Sequence, residues 1–316
     1  MTLKATALIL AVMLAGAPVY AQSRVCEELA GRIAQSPAAA KDRLMHEALF
    51  EAAALDCPRI AEEMLAKGAS VDARNRRGAT ALSVAAGRGA REIASVLLKK
   101  GADLHHRDLN GATPLLLSVR AGRRAMAGLL LQAGADVDAA DRQGITPLMA
   151  AAFEGDQRLL RLLLGFHARL DVRDAHGKGA ILYAAGRAYP RIVSELIKAG
   201  ADADGIWGHD LTPLMWAAGH TNDAPAADGL VVAEILLKAG ADIHRCDDRG
   251  RNALMIAAGR GHRGMVAFLL EHGANASVRD KQGMASADLA LDDDIRLLLT
   301  ESPTSLRPAS VQSEER

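Results

Sequence analysis

The stretch from Asp141 to Ala152, which reads Asp-Arg-Gln-Gly-Ile-Thr-Pro-Leu-Met-Ala-Ala-Ala, combines a tight turn with the start of a helix. Asp141 can accept hydrogen bonds from backbone amides two residues on, and Gly144 tolerates a positive φ. Thr146 suits the N-cap of a helix whose first residue is Pro147, where the missing N–H costs nothing. The stretch therefore predicts a turn that leads into a helix, and leucines farther along supply the apolar face of a second helix.

This pattern recurs with a period of 33 residues, and such a period indicates a repeat architecture. Two series of positions carry the period, and both lengthen by seven residues at the same place. The turn glycines are Gly78, Gly111, Gly144, Gly177, Gly250 and Gly283, with Asp210 at the glycine position of the enlarged unit. Gly68, Gly101 and Gly134 begin Gly-Ala-Ser/Asp triplets, and Gly200, Gly240 and Gly273 continue the series, with His167 replacing the glycine once.

The repeated unit resembles the ankyrin repeat family. The matching residues are Asp-x-x-Gly-x-Thr-Pro-Leu at 108–115 and 141–148, the Ala-Ala pairs, Gly261-His262 and Leu-Leu-x-x-Gly-Ala-Asp at 236–242. The resemblance implies a mainly α solenoid of about eight helix-turn-helix units with protruding β-hairpin loops. The family's His after Thr-Pro-Leu is absent, and an apolar seam is expected from the residues found there: Ser83, Leu116, Met149, Leu182, Met215 and Met255.

The pattern divides the chain into a leading segment, a solenoid and a tail. Residues 22–40 are predicted to form an N-terminal helical extension, and residues 41–302 are predicted to form the solenoid. The predicted repeats are about 41–73, 74–106, 107–139, 140–172, 173–205, 206–245, 246–278 and 279–302. The tail 303–316 is rich in Ser, Pro and charge, which predicts disorder.

Residues 1–21 have the features of a secretory signal. Lys4 precedes an apolar run from Ala5 to Ala17, and small residues before Gln22 suit cleavage after Ala21. The run is shorter than the about 20 apolar residues of a membrane span. We therefore expect a mature chain in the periplasm or secreted, without a membrane span, and an uncleaved anchor is the alternative.

Composition predicts a core of small and aliphatic side chains, because 50% of the residues are hydrophobic and only 3% aromatic. The 38 basic residues balance 38 acidic ones, so net charge favours neither nucleic acid nor a membrane surface. Of the three cysteines, Cys26 and Cys57 form the candidate disulfide, with two free thiols as the alternative. Cys246 is expected to be exposed and unpaired.

The chain carries no signature of catalysis. It has no phosphate-binding loop, no His-Glu-x-x-His pair and no Gly-x-Ser-x-Gly elbow. His244 and Cys246 form the nearest metal-like pair, but other repeats place Asp at the position of His244, so a polar hairpin residue explains it better. We expect no catalytic residues, no metal and no cofactor.

The enlarged unit places its extra residues at 219–229, between the two helices of the repeat. Asp, Asn, Pro and Gly in this segment favour a loop. The loop is either a tolerated surface insertion or a functional one.

The resemblance places a partner-binding groove at the hairpin tips and first-helix ends. Basic residues dominate there, and Phe153, Tyr183 and Trp216 occupy first helices of successive repeats. Space filling by Tyr183 and Trp216 is the alternative to binding. The predicted partner-binding residues are Arg76, Arg77, Arg88, Arg120, Arg142, Phe153, Lys178, Tyr183, Arg187, His209, Trp216, Arg249 and Arg251.

These patterns together predict a non-catalytic scaffold that binds a folded protein with an acidic surface, in support or regulation of a periplasmic enzyme. A secreted effector that binds host proteins is the alternative within the same class, and a metal-binding or hydrolytic protein is the alternative from another. Export and the scarcity of exposed stacking groups weigh against nucleic-acid binding. The oligomeric state is not determined by the sequence.

Overall fold

A computed structural model describes residues 19–35, 41–220 and 226–301. Within those residues the chain is helical, and β-structure is confined to two isolated bridges, Trp207 to Leu211 and Arg279 to Ala285. The predicted signal segment up to residue 18, the tail 303–316 and residues 221–225 of the insertion lie outside the described residues. The chain divides into two compact units, of which the first ends at Arg142 and the second begins at Gln143.

The first unit contains a leading helix and three helix pairs. The leading helix is α1 (Val19–Ala34). The pairs are α2 (Lys41–Leu55) with α3 (Pro58–Ala66), α4 (Ala81–Arg88) with α5 (Arg91–Lys99), and α6 (Pro114–Arg120) with α7 (Arg124–Gln132). The first helices α2, α4 and α6 pack in a row, and the second helices α3, α5 and α7 pack in another.

The second unit contains four helix pairs and a closing helix. The pairs are α8 (Pro147–Glu154) with α9 (Gln157–Gly165), α10 (Ala180–Gly186) with α11 (Pro190–Lys198), α12 (Pro213–Ala218) with α13 (Ala226–Lys238), and α14 (Ala253–Arg260) with α15 (Arg263–Glu271); α16 (Asp293–Glu301) closes it. As in the first unit, first helices pack on first helices and second helices on second helices. A turn over residues 286–289 stands where the closing repeat would begin its first helix.

Small residues let the first helices approach closely. The Ala-Ala pairs at 85–86, 151–152, 184–185, 217–218 and 257–258 are fully buried. The residues at the family's His position are all buried as well, and five of the six are apolar, whereas the Ser83 hydroxyl shares a hydrogen bond with Thr80. Because alanine has no side chain beyond Cβ, packing in this core depends on backbone proximity, and leucine and methionine fill the remaining space.

Side-chain caps begin five of the first helices. The Oγ1 atoms of Thr80, Thr113, Thr146 and Thr212 each accept a hydrogen bond from the backbone amide three residues on, and Asn252 does so through Oδ1. The predicted cap at Thr146 is confirmed, with an Oγ1 to Met149 N distance of 3.2 Å. Each such cap contributes about 1 kcal/mol.

The leading helix α1 packs on α2 and is bonded covalently to the first repeat. Leu29 is 1% exposed, and Cys26 and Cys57 form a disulfide with Cα atoms 5.7 Å apart. Cys57 lies in the bend between α2 and α3. The disulfide therefore ties the extension to the first helix pair.

The prediction of a loop over 219–229 is wrong at its end, because α13 already begins at Ala226. Gly229 lies in this helix and is buried, and a Cβ atom there would come within 2.4 Å of the His220 ring. The absence of a side chain at Gly229 thus lets α13 pack against His220, a close contact that the turn-forming composition of the segment conceals.

Candidate partner-binding site

The hairpin tips are built by an acidic residue that caps its own turn. Oδ1 of Asp108 accepts hydrogen bonds from the amides of Asn110 and Ala112 at 2.8 and 2.9 Å. Asp174, Asp247 and Asp280 repeat this arrangement, and Asn75 does the same with its amide oxygen. The predicted role of the turn Asp is confirmed at these positions.

Successive tips are joined by single backbone hydrogen bonds. In the first unit Leu109 N donates to Arg77 O, and Arg142 N donates to Asn110 O, both at 3.0 Å. In the second unit the links run from Ala175 to Gln143, from Gly208 to Gly177, from Asp248 to His209 and from Lys281 to Arg249. Each tip is thereby fixed beside the next within its unit.

The turn glycine is required by this close stacking. Gly144 has a φ of 79°, and a Cβ atom there would lie 2.8 Å from the Asp174 Cα atom of the following tip. A side chain at this position would meet both an unfavourable backbone conformation and a backbone clash. The turn glycines recur with the 33-residue period of the sequence because stacked tips favour a glycine at this position.

Four of the predicted basic site residues are paired with acidic residues of the chain itself. Arg120 contacts Asp141 at 2.6 Å, and Arg251 contacts Asp280 at 3.0 Å, each reaching the next tip. Arg249 contacts Asp247 at 2.7 Å, and His209 contacts Asp248 at 2.8 Å. The basic surface predicted from the sequence is therefore partly neutralised, because the basic side chains and the tip carboxylates share one edge.

Asp280 shows how far this neutralisation goes. Its Oδ1 accepts the amides of Met284 and Gln282, and its Oδ2 accepts from Arg251. The hydrogen bond from the Met284 amide is the largest cause of a lowered pKa at this carboxyl group, with Arg251 adding to it. The Arg251 guanidinium is thus held against the next tip by its ion pair with Asp280.

Four other predicted arginines of the first unit are exposed and form no ion pair with the described residues: Arg76, Arg77, Arg88 and Arg142. Leu109 lies on the tip next to Arg77 and is 57% exposed. This surface, which we call the arginine tip surface, combines an exposed aliphatic side chain with unpaired guanidinium groups.

The second unit gathers the three predicted aromatic residues with two predicted cations. Phe153 and Tyr183 form an edge-to-face pair with centroids 5.8 Å apart, and Phe153 is 42% exposed. Arg187 lies 4.9 Å above the Phe153 ring, and Lys178 lies 4.8 Å above the Trp216 ring. We call these five residues the aromatic–cation cluster.

The cluster is anchored to a hairpin tip through Tyr183. The Tyr183 hydroxyl donates to Oδ2 of Asp174, whose Oδ1 already accepts the amides of His176 and Lys178. Asp174 is buried, and its oxygens are engaged in these contacts. Lys178 and Arg187 lie on aromatic rings, and cation–π contacts of this kind contribute about 0.5–1 kcal/mol at exposed sites.

Trp216 combines packing with exposure. A Cβ atom at Gly186 would come within 2.6 Å of its ring, so the indole rests on the glycine of the preceding first helix. Its Nε1 atom is buried and has no hydrogen-bond partner in the described chain. The ring is half-buried, and Lys178 covers part of it.

Trp207 was not singled out by the sequence reasoning. It is 7% exposed, Arg173 lies 4.8 Å from its ring centroid, and a Cβ atom at Gly179 would come within 2.2 Å of the ring. The available signal was Gly179 itself, which stands where neighbouring repeats have the capping threonine. The indole occupies the space that a side chain at that position would need.

The metal-like pair does not assemble into a site in the described residues. Cys246 is exposed and forms no disulfide, and partial desolvation of its thiol raises its pKa, with the charges of Asp247 and Asp242 adding to the rise. Within the described residues no group of three or more His, Cys, Asp or Glu side chains is arranged to hold a metal ion. None of the described helices combines the length and apolar character needed to cross a membrane.

Comparison with known proteins agrees with this architecture. A family model described as ankyrin repeats matches three segments, residues 49–141, 148–231 and 224–306. The chain is also similar to an ankyrin repeat-containing protein of Treponema pallidum (strain Nichols), with 35% identity over 68 residues. That match covers 22% of this chain and 23% of the relative, so it spans under a quarter of either protein.

Proposed function

Because the chain belongs to the ankyrin repeat family, whose repeats form protein–protein interaction modules, we propose that it is a non-catalytic scaffold that binds an acidic surface of a folded partner protein. The observation that carries this proposal is the aromatic–cation cluster of Phe153, Tyr183, Trp216, Lys178 and Arg187. Exposed aromatic surface beside unpaired cations is the composition of interface hot spots.

Charge supports an acidic partner. The cations of the cluster lie on aromatic rings, while Arg120, Arg249, Arg251 and His209 are paired within the chain. Unpaired cations near apolar surface attract carboxylates of a partner and raise its association rate. The arginine tip surface of the first unit offers a second area of the same chemistry.

We place the scaffold in the periplasm, where it supports or regulates an enzyme. The apolar run Ala5–Ala17 followed by small residues supports export, and the Cys26–Cys57 disulfide suits an oxidising compartment. Mass spectrometry of the protein purified from its native cells tests the export step. A chain that begins at Gln22 supports export with cleavage after Ala21, and a chain that retains Met1 rules out that cleavage.

The docking site is tested first by photo-crosslinking in intact cells. A photoreactive amino acid at position 153 is expected to capture one partner that the same group at position 91, on the exposed face of α5, does not capture. Identical products from both positions would contradict the assignment of the cluster as the docking site.

Affinity for the captured partner then tests the residues. Trp216→Ala or the double reversal Lys178→Glu/Arg187→Glu is expected to weaken binding at least about tenfold. The matched control is Arg91→Glu/Lys99→Glu on α5, which introduces the same charge change outside the cluster. Unchanged affinity in the cluster variants, with far-UV circular dichroism retained, would remove the assignment.

A further inference from the structure

The second helices of the second unit border a cleft, open to solvent, that the partner-binding surfaces do not include. Its volume is about 450 Å³, and it lies between α9, α11 and α13. Arg161 and Gln157 line it from α9, and Ile235 lines it from α13. The repeat pattern gave no signal for it, because each helix contributes only part of its wall.

One face of α11 supplies most of the polar lining. Its polar residues are spaced at intervals of three, one and three, which places them on the same side of the helix: Arg191, Ser194, Glu195 and Lys198. All four border the cleft. Together with Arg161 they bring three basic side chains and one acidic side chain to a single depression.

Among the described residues that line the cleft, the one acidic residue is already engaged. Arg161 Nη2 donates to Glu195 Oε1 at 2.6 Å, and Gln157 Nε2 donates to the same oxygen at 3.3 Å. The hydrogen bond from Arg161 is the largest cause of the lowered pKa of Glu195, and the charge of Lys198 also contributes. The carboxylate is therefore ionised at neutral pH and fixes the Arg161 guanidinium at the cleft wall.

Arg191 and Lys198 remain without a hydrogen-bonded carboxylate in the described part of the chain. They lie four residues before and three residues after Glu195, so they flank the Arg161–Glu195 pair on both sides. The Ser194 hydroxyl adds a neutral donor, and Ile235 adds apolar surface. This is a set of donors that suits an oxyanion with an organic body.

We propose that this cleft binds a small organic oxyanion that carries two negative charges, a phosphate monoester or a dicarboxylate. Arg191 and Lys198 contact its charged oxygens, and Arg161, held by Glu195, completes the basic wall. The site is independent of partner docking, because it is built from second helices and shares no residue with the aromatic–cation cluster.

Isothermal titration calorimetry at low ionic strength, with the full chain, tests the proposal. The probes are inorganic phosphate and succinate, which separate the two oxyanion classes. The wild-type protein is expected to bind at least one of them, and Arg191→Ala/Lys198→Ala is expected to weaken that binding by about tenfold or more. Glu195→Gln is expected to tighten it, because the amide oxygen still accepts from Arg161 while the repelling charge is gone.

The matched control is Arg91→Ala/Lys99→Ala, which removes two exposed cations from α5, the second helix of an earlier repeat. It is expected to bind the probe as the wild type does. Absence of binding of both probes by the wild type would overturn the proposal. An equal loss in the control pair would also overturn it, because that result would show a general charge effect.

Discussion

The hydrogen bond from Tyr183 to Asp174 gives the sharpest test of how a tip is joined to the first helix behind it. Asp174→Asn keeps an oxygen for the amides of His176 and Lys178 but replaces the acceptor of the tyrosine hydroxyl by an amide donor. Asp108→Asn is the matched control. Asp108 makes the same two amide contacts, and its side chain has no further partner among the described residues.

The magnitude follows from the contacts that each substitution removes. A hydrogen bond to a charged acceptor contributes about 1.5–3 kcal/mol. Because Tyr183 is only half-buried, we expect Asp174→Asn to lower the free energy of unfolding by about 1.5 kcal/mol. Asp108→Asn is expected to change it by less than about 0.5 kcal/mol, since Asn75 already occupies the equivalent position of an earlier tip.

Urea denaturation followed by far-UV circular dichroism measures both variants. Adding Tyr183→Phe completes a double-mutant cycle, and the combined variant is expected to be no less stable than Asp174→Asn alone. Equal midpoints for the Asp174 and Asp108 variants, or additive effects in the cycle, would refute the energetic role given to this hydrogen bond.

Three further predictions concern the covalent link, the backbone and pH. Replacing Cys26 and Cys57 by serine is expected to lower the free energy of unfolding by about 3–4 kcal/mol, because the disulfide closes a loop of 31 residues in the unfolded chain. Thermal melts with and without reductant measure this effect, and equal melting temperatures would contradict it. Gly122→Ala is expected to lower the free energy of unfolding by about 1–2 kcal/mol because of its positive φ of 67° alone, and Gly155→Ala by more, since its Cβ atom would come within 2.9 Å of the Tyr189 ring. Urea midpoints of the two variants measure this difference, and the reverse order would be inconsistent with the structure. Burial holds the pKa of His262 below its ordinary value of 6.5, so His262 in the unfolded chain is protonated first and the free energy of unfolding falls as the pH drops below that value. His262→Gln is expected to flatten this part of the stability–pH curve, and an unchanged slope would show that other groups cause the pH dependence.

Local chemistry explains why so much of the fold could be predicted. A capping threonine acts on an amide three residues away, and a turn aspartate acts on amides two and four residues away. A turn glycine adopts a positive φ without the steric penalty of a Cβ atom, whatever its neighbours in other repeats are. These signals lie within one repeat and recur every 33 residues, so they predicted the turns, the capped helices and the repeat family before any contact was known.

The candidate site could be predicted only in part. The sequence placed Phe153, Tyr183 and Trp216 in successive first helices, and the structure brings them together with Lys178 and Arg187. It also predicted a basic surface, but it could not show which cations are paired. Arg120 and Arg251 meet carboxylates 21 and 29 residues away, in the next repeat, and this distance is set by how the repeats stack.

The sequence by itself therefore determined the repeating unit, because each unit is specified by interactions among neighbours in the chain. The tertiary structure alone decided which arginines remain unpaired, that Gly229 lets α13 pack against His220, and that three second helices border a basic cleft. Those features depend on the spacing between side chains of different repeats. That spacing arises from packing, which no single repeat encodes.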